Sequence, residues 1–586
     1  MNLGVGAGVV DELAESDWVV GWREGGEEAE ECGKGWGDEA LGHGGVESSW
    51  GARVDDVGGC VFCSKRGCMR NKNPLIGAAF FSLVAFQANA DVRLPKILSD
   101  HMVLQGGKPA RIWGWADAGE KVSVELAGEK ASAVAGADGK WAVQLKVPAT
   151  GEGLELKVAG KNALKVSDVL IGEVWVCSGQ SNMEWTVAQS NNPAEEAAAA
   201  KFPAIRHFKV PHLTADKPQD DLQGQWVVCS PETVSAFSAA GYFFGRELHQ
   251  KLGVAVGLIG TNWGGTPAES WASRDALESY ESLKPLLERW DTQVKAFNPE
   301  KAKADFDAAM AKWKPLADAA KAAGKPVPQQ PRPAGDPATN AHRPANLYNA
   351  MIAPLLPLSI KGAIWYQGES NVGRAYQYRT IFPAMIKDWR KRFDQGDFPF
   401  LFVQIAPYNY NRAPEADKTP CAELWEAQSF TLDTVPNTGM AVTTDIGNVM
   451  DIHPKNKQEV GRRLALWALA KTYGKADLAY SGPLYKSSKV EGGSIRLTFN
   501  HSKGLKASDG KSLSHFTVCG EDKKFVSAEA RIEGDEIVVK AADVAKPVAV
   551  RFAWREDAEP NLVNGAGLPA SPFRTDSFPA VTLDKY

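Results

Sequence analysis

The 586-residue sequence is poor in cysteine, lacks a long apolar run and has no excess of positive charge. Because no segment reaches the about 18 consecutive apolar residues of a membrane helix, we expect no membrane span. The net charge of −5 excludes the overall basic field that attracts nucleic acid. With 44% hydrophobic and 23% charged residues, the composition is that of a globular protein, neither disordered nor fibrous. The length predicts three or four domains at roughly 150 residues each.

The first 68 residues differ from the rest of the chain. They hold 16 of the 56 glycines, four of the eight cysteines and a net charge of −9. No apolar period of a strand or a helix runs through them, so we interpret 1–68 as a non-native or disordered extension without a packed core. Cys60, Cys63 and Cys68 have no second ligand pair at zinc spacing, which argues against a metal site.

Residues 69–90 have the layout of a secretory signal peptide. They contain the basic residues Arg70 and Lys72, an apolar run over 74–86, and the small-residue cleavage site Ala88-Asn89-Ala90. We therefore expect a protein that is secreted or periplasmic after cleavage near Ala90. Such compartments allow disulfides, but the sequence does not fix a pairing among the four cysteines that follow, which are Cys177, Cys229, Cys421 and Cys519.

Two regions of the exported chain have the texture of β-structure. In 91–168, short segments rich in β-formers are separated by turn signals, which predicts a small N-terminal β-sandwich. The segments are VRLPKIL, ARIWGWA, KVSVELAG, WAVQLKV and LELKVAG. A second β region is predicted over 478–586 from SIRLTFN, FTVCG, EARIEGDEIVVKA and VAVRFAW.

Between these regions, residues 169–477 alternate buried strands with helices. Continuous apolar runs such as VLIGEVWVCSG, VAVGLIGTNWGG, IKGAIWYQGESN and FPFLFVQIAPY are typical of strands buried on both faces. The helices between them include FSAAGYFFGRELHQKL, closed by Gly253, and YRTIFPAMIKDWRKRF. The pattern predicts an α/β fold with a parallel sheet covered by helices on both faces. Residues 275–337 interrupt it with Ala- and Lys-rich helices and a Pro-rich linker, so we interpret them as an insertion.

Reactive groups in such a sheet collect at the carboxyl ends of the strands. Ser181 follows the first core strand on a Gly-Gln-Ser turn, which can expose its hydroxyl as a nucleophile, although a helix N-cap is an equal alternative. Gly264 and Gly265 follow the next strand and can bring backbone N–H groups to an oxyanion, although a plain turn also explains them.

Two further loops carry polar groups. Gln367, after the third strand, can donate a hydrogen bond to a developing negative charge, and Glu369 and Asn371 in the same loop are candidates for substrate contact. His453 stands before a helix and can serve as a general base oriented by Asp451, although a lone histidine is more often structural. The occurrence of all four loops in one α/β domain favours nucleophilic catalysis by Ser181, His453 and Asp451.

These loops also carry a family resemblance. The blocks GQSNMEW, NWGGTPAESW, WYQGESN and DIHPKNKQEVGRRLAL resemble those of the sialate O-acetylesterase family, as do LPKILSDHMVLQ and RPANLYNAMIAPL. The resemblance implies an SGNH/GDSL-type α/β/α serine esterase that acts on acetylated carbohydrate and needs no metal or organic cofactor. It also implies the nucleophile Ser181, the base His453, and an oxyanion hole made by the Ser181 N–H, the Gly264–Gly265 loop and Gln367.

One position departs from the family pattern. Related esterases often place the orienting aspartate three residues before the histidine, where this chain has Met450. Asp451, two residues before His453, is our choice, and Asp445 and Glu369 are the alternatives. The sequence does not decide between a sialic acid ester and an acetylated xylan or xyloglucan, nor does it give the oligomeric state. A catalytically inactive carbohydrate-binding protein on an esterase fold is the alternative function.

Overall fold

The computed structural model describes residues 91–413 and 416–586. The predictions for the extension over 1–68 and for the signal peptide over 69–90 lie outside the described residues. No helix in the described part of the chain is long and apolar enough to cross a membrane.

The first seven strands build the N-terminal β region. They are β1 (Val103–Gln105), β2 (Ala110–Trp115), β3 (Lys121–Leu126), β4 (Glu129–Val134), β5 (Lys140–Leu145), β6 (Gly151–Ala159) and β7 (Ala163–Gly179). β3 and β5 alternate buried and exposed residues, as expected for strands with one face on a core. The antiparallel pairs β4–β3, β3–β6 and β6–β7 form one sheet, and β2 pairs with β5 in another.

One predicted strand of this region is wrong. The segment 92–98 contributes only a bridge between Arg93 and Trp115, and a turn follows at once. The reason is Pro95, which has no N–H to extend a ladder and whose carbonyl accepts the N–H of Leu98 in the turn.

A central sheet of parallel strands forms the core of the protein. Its strands are the carboxyl half of β7 with β8 (Ile205–Lys209), β9 (Trp226–Val228), β10 (Ala255–Asn262), β11 (Gly362–Tyr366), β12 (Phe400–Val403) and β13 (Thr438–Ala441). The strand order is β13-β12-β11-β7-β10-β8-β9, and only β9 is antiparallel to its neighbour. β7 is 17 residues long and runs through the position 168–169, so a single strand joins the N-terminal β region to the core.

Helices cover both faces of this sheet. They are α1 (Ser181–Glu184), α2 (Pro193–Ala199), α3 (Ala239–Leu252), α4 (Arg274–Glu278), α5 (Lys284–Ala296), α6 (Pro299–Ala322), α7 (Ala375–Phe393), α8 (Pro420–Thr434) and α9 (Lys457–Trp467). Shorter helical turns lie at Val187–Gln189, Val234–Ala236, Ala268–Trp271, Glu281–Leu283, Pro337–Thr339, Tyr348–Ile352, Ala353–Leu355, Glu369–Arg374 and Ala468–Thr472.

Two tryptophans mark the two faces. Trp175 on β7 packs edge-on against Phe244 of α3, with ring centroids 4.9 Å apart. Trp365 on β11 packs against Trp389 of α7, 6.1 Å away. Because Gly362 pairs with Trp175 and side chains alternate along a strand, Trp365 points to the opposite face. The predicted α/β fold with helices on both faces is therefore confirmed.

The segment interpreted as an insertion contains α4, α5 and α6. α5 buries Leu286 and Leu287, whereas the 24-residue α6 buries only Ala317. Lysine–aspartate pairs four residues apart follow the exposed side of α6, which is typical of a solvated helix.

The last ten strands form the C-terminal β region around its own apolar core. They are β14 (Leu484–Glu491), β15 (Ser494–Asn500), β16 (Lys506–Ala507), β17 (Phe516–Cys519), β18 (Val526–Ser527), β19 (Glu529–Glu533), β20 (Glu536–Lys540), β21 (Ala549–Phe552), β22 (Leu562–Val563) and β23 (Phe573–Arg574). Two four-stranded sheets, β14-β15-β20-β19 and β18-β17-β21-β23, supply most of its buried side chains. Cys519 in this region and Cys177, Cys229 and Cys421 in the core are buried free thiols.

Candidate active site

Ser181 lies at the carboxyl edge of the central sheet. β7 ends at Gly179, whose φ of 137° lies in the region that favours glycine, and a Cβ atom there would lie 2.2 Å from the Tyr366 carbonyl oxygen. The next residue, Gln180, donates its N–H to that same oxygen at 2.9 Å. The close contact between β7 and β11 therefore requires glycine at position 179. The chain then turns into α1, where Ser181 is half-buried.

The glycine loop that follows β10 packs against Ser181. A Cβ atom added at Gly264 would lie 3.3 Å from the Ser181 Cβ, so a side chain there would crowd Ser181. The N–H of Gly264 is donated to Glu184 Oε2 at 2.9 Å. The backbone N–H groups of Ser181 and Gly265 make no hydrogen bond within the described residues and remain as two unused donors, one on the Ser181 turn and one on the glycine loop.

Gln367 does not face this space. It is fully buried, and its Nε2 donates to Thr266 O at 3.2 Å and to Asn371 Oδ1 at 2.7 Å. Its Oε1 accepts from the Tyr378 hydroxyl at 3.0 Å. Both amide hydrogens are therefore used inside the protein, and one of them binds the Thr266 carbonyl at the end of the glycine loop. This differs from the predicted role in the oxyanion hole.

Asn371 and Glu369 belong to the same buried layer. Asn371 is fully buried, accepts the Ala268 N–H at 3.0 Å and donates to Glu269 Oε2 at 2.9 Å. Glu369 accepts from Asn182 Nδ2 at 2.6 Å. In the structure these two side chains bond to residues of the loops that carry Ser181 and Gly264, and their contact with substrate stays a prediction.

His453 is held close to the turn that contains Ser181. Its ring stacks on Trp185, with centroids 4.6 Å apart, and the backbone N–H of Trp185 donates to the Ser181 carbonyl at 2.8 Å. Asn182 Nδ2 donates to the Ile452 carbonyl at 2.9 Å and ties the two loops together. Within the described residues, Ser181 Oγ and the His453 ring make no direct hydrogen bond; catalytic hydrogen bonds often tighten only when substrate binds.

Asp451 is the carboxylate nearest to the imidazole. Its Oδ1 accepts the backbone N–H of His453 at 2.9 Å and lies 3.9 Å from His453 Nδ1. The two alternative carboxylates bind other residues. Asp445 forms a bidentate pair with Arg463 at 2.6 and 2.7 Å, and Glu369 accepts a hydrogen bond from Asn182.

The surroundings of His453 favour the neutral imidazole. Burial lowers the pKa of His453 below its usual value, and the positive charge of Lys457 acts in the same direction, while Asp451 opposes them. A neutral ring at pH 7 can accept a proton, which is the requirement for a general base.

Sequence reasoning missed a group of residues around Ser181. Glu184 accepts from Gly264 and contacts His212 Nε2 at 2.8 Å, and the His212 ring stacks on Trp263 at 4.3 Å. Asn182 and Lys457 form a buried hydrogen bond. All but His212 fall inside the sequence blocks quoted above, so their presence in those blocks was the available signal.

Comparisons with known proteins agree on one group of enzymes. A family model described as "Carbohydrate esterase, sialic acid-specific acetylesterase" matches residues 334–470. The sialate O-acetylesterase of Rattus norvegicus is 30% identical over 509 residues, covering 80% of this chain and 90% of the rat protein. The Homo sapiens protein of the same name is 30% identical over 533 residues, covering 83% and 93%. A solved carbohydrate acetylesterase from Xanthomonas citri is 36% identical, with a TM-score of 0.70 and coverage of 83% of this chain and 100% of that one.

The fold and the site, with these matches, define the class of protein: it is a carbohydrate esterase, an enzyme that hydrolyses ester bonds. Within that class, the chain belongs to the sialate O-acetylesterase family. The family resemblance of the sequence blocks is therefore confirmed.

Proposed function

We propose that this enzyme is a secreted, SGNH-type carbohydrate O-acetylesterase in which Ser181 is the nucleophile, His453 the general base and Asp451 its carboxylate partner. The observation that carries the proposal is the meeting of the Ser181 turn, the Gly264 loop and the His453 loop at one edge of the sheet. Export rests on the sequence of residues 69–90 alone.

The proposed reaction proceeds through an acyl-enzyme. His453 removes the proton of Ser181 as the hydroxyl attacks the acetyl carbonyl, and the N–H groups of Ser181 and Gly265 donate to the oxyanion. His453 then gives the proton to the departing sugar oxygen. A water molecule, activated by the same imidazole, releases acetate from Ser181.

The substrate is proposed at the level of an acetylated sugar. The mammalian relatives are named for sialate esters, and the bacterial one for carbohydrate acetyl esters in general. Acetylated sialic acids are one candidate, and the xylan and xyloglucan esters that the sequence left open are the others. Acetate release from a panel of these three, with p-nitrophenyl acetate as a reference, tests the proposal. Failure on every ester would instead support the inactive carbohydrate-binding alternative.

Asp451→Asn tests the carboxylate without disturbing the loop, because an asparagine Oδ1 can still accept the His453 N–H. We expect kcat to fall by about 10² or more, less than the about 10⁴ lost at a fully buried catalytic aspartate, because Asp451 is 45% exposed. KM should change little. The measurement is steady-state hydrolysis of p-nitrophenyl acetate at pH 7.5.

Asp445→Asn is the matched control for this variant. It removes the charge opposite Arg463, so thermal stability should fall while kcat stays within about tenfold of wild type, roughly 1.4 kcal/mol. If Asp445→Asn lowers kcat more than Asp451→Asn does, Asp451 is not the partner of His453.

A further inference from the structure

A buried polar cluster joins the loop of the nucleophile to the loop of the base. It consists of Asn182, Glu369 and Lys457, which come from α1, from the loop after β11 and from the start of α9. Asn182 and Lys457 are fully buried, and Glu369 is 9% exposed. Buried charges are costly unless they are paired and hydrogen-bonded, so a cluster at this position needs a physical reason.

The Asn182 side chain uses all of its strong hydrogen-bonding groups in this cluster. Its Nδ2 donates to Glu369 Oε1 at 2.6 Å and to Ile452 O at 2.9 Å, and its Oδ1 accepts from Lys457 Nζ at 2.5 Å. The amide therefore lies between an anion and a cation. The Glu369 carboxylate faces its N–H end, and the Lys457 ammonium faces its carbonyl end. This arrangement fixes the orientation of the side chain that directly follows Ser181.

Lys457 makes a second contact, on the other loop. Its Nζ donates to the Pro454 carbonyl at 2.8 Å, one residue after His453. One ammonium group thus holds both the side chain next to Ser181 and the backbone next to His453.

We propose that Lys457 is a positioning residue of the esterase, which clamps the Ser181 and His453 loops together through Asn182 and Pro454, with Glu369 as its buried counter-charge. The inference rests on the proposed roles of Ser181 and His453. It assigns Glu369 to the support of Lys457 and Asn182 and not to the orientation of His453.

The charges around the cluster predict a pH effect. The titratable groups facing Lys457 are Glu369, Tyr366, whose ring centroid is 5.3 Å from Nζ, and Asp451 and His453 on the loop that precedes α9. Burial lowers the pKa of Lys457 to about 7, against the pull of Glu369 and Asp451. Below that pH the ammonium opposes protonation of His453, so its removal should raise the pKa of His453.

The test compares Lys457→Met and Lys457→Gln with the control Lys455→Met, using p-nitrophenyl acetate from pH 5 to pH 9. Lys455 is exposed and lies between His453 and Lys457 in sequence, two residues from each. We expect Lys457→Met to lower kcat at least tenfold with little change in KM, and to move the acid limb of kcat/KM to higher pH. Lys457→Gln keeps an N–H donor, so part of kcat should return while the acid limb stays displaced. Lys455→Met should match wild type.

Folding is checked by thermal unfolding. Both variants place a neutral side chain in the buried site, and burial already raises the pKa of Glu369, so this carboxyl can take up a proton when its counter-charge is lost. A folded Lys457→Met enzyme with kcat within about twofold of wild type and an unmoved acid limb would overturn the proposal. A Lys457→Gln enzyme whose acid limb of kcat/KM lies at the wild-type pH would also overturn the proposal. Ser181→Ala in the same assay separates the outcomes, because retained activity there contradicts the nucleophile itself.

Discussion

Ser181→Ala should abolish hydrolysis of p-nitrophenyl acetate, with kcat lower by about 10⁴ or more, while the protein stays folded. Loss of the nucleophile in serine hydrolases removes nearly all catalysis except that of binding and the oxyanion hole. The Ser181 hydroxyl makes no hydrogen bond within the described residues and is half-buried, so its loss should shift the melting temperature by no more than about 2 °C. The measurements are steady-state kinetics and a thermal melt of each preparation.

Ser370→Ala is the matched control for that experiment. Ser370 lies in the neighbouring loop, where its backbone N–H donates to Gln180 Oε1 and its hydroxyl has no partner in the described part of the chain. Its kcat should stay within about twofold of wild type. Residual activity of a few per cent in Ser181→Ala, free of wild-type contamination, would remove Ser181 from the mechanism.

His453→Gln should lower kcat by about 10⁴ or more and abolish the acid limb of the pH profile. In wild type, kcat/KM should rise with pH through the pKa of His453, because only the neutral imidazole accepts the serine proton. Burial and Lys457 hold that pKa below the usual 6.5, so the half-maximal point should lie on the acid side of 6.5. The profile is measured from pH 4.5 to pH 9.

His212→Gln controls for the second imidazole near the site. His212 contacts Glu184 and stacks on Trp263, so its loss should leave the acid limb in place. If the limb disappears in His212→Gln and persists in His453→Gln, the base has been assigned to the wrong histidine.

Much of the fold could be predicted from local sequence. The apolar runs that end in Gly179, Asn262 and Tyr366 are parallel strands of one sheet, as their two-sided burial requires. The helix over 239–252 ends where Gly253, with φ of 67°, allows a left-handed cap. The strand predicted over 92–98 does not form, because the prediction gave more weight to the β-forming residues of this segment than to Pro95.

The candidate site was predictable to the level of its loops. Strand ends in a parallel sheet share an edge, so the sequence by itself determined that the Ser181 turn, the Gly264 loop and the loop after Tyr366 meet there. Glycine is present at 179 and 264 because the backbone at these positions lies close to a neighbour. The neighbour is the Tyr366 carbonyl at 179 and Ser181 at 264.

Only the tertiary structure decided what each polar side chain binds. Gln367 has the chemistry of an oxyanion donor, but Thr266 and Asn371 take both of its hydrogens. The sequence analysis assigned no role to Lys457, yet it is buried and bonds to Asn182, 275 positions away. Residue type specifies how many hydrogen bonds a group can make, whereas packing of distant segments selects the partner, because a buried group must bond to whatever the fold brings within about 3 Å.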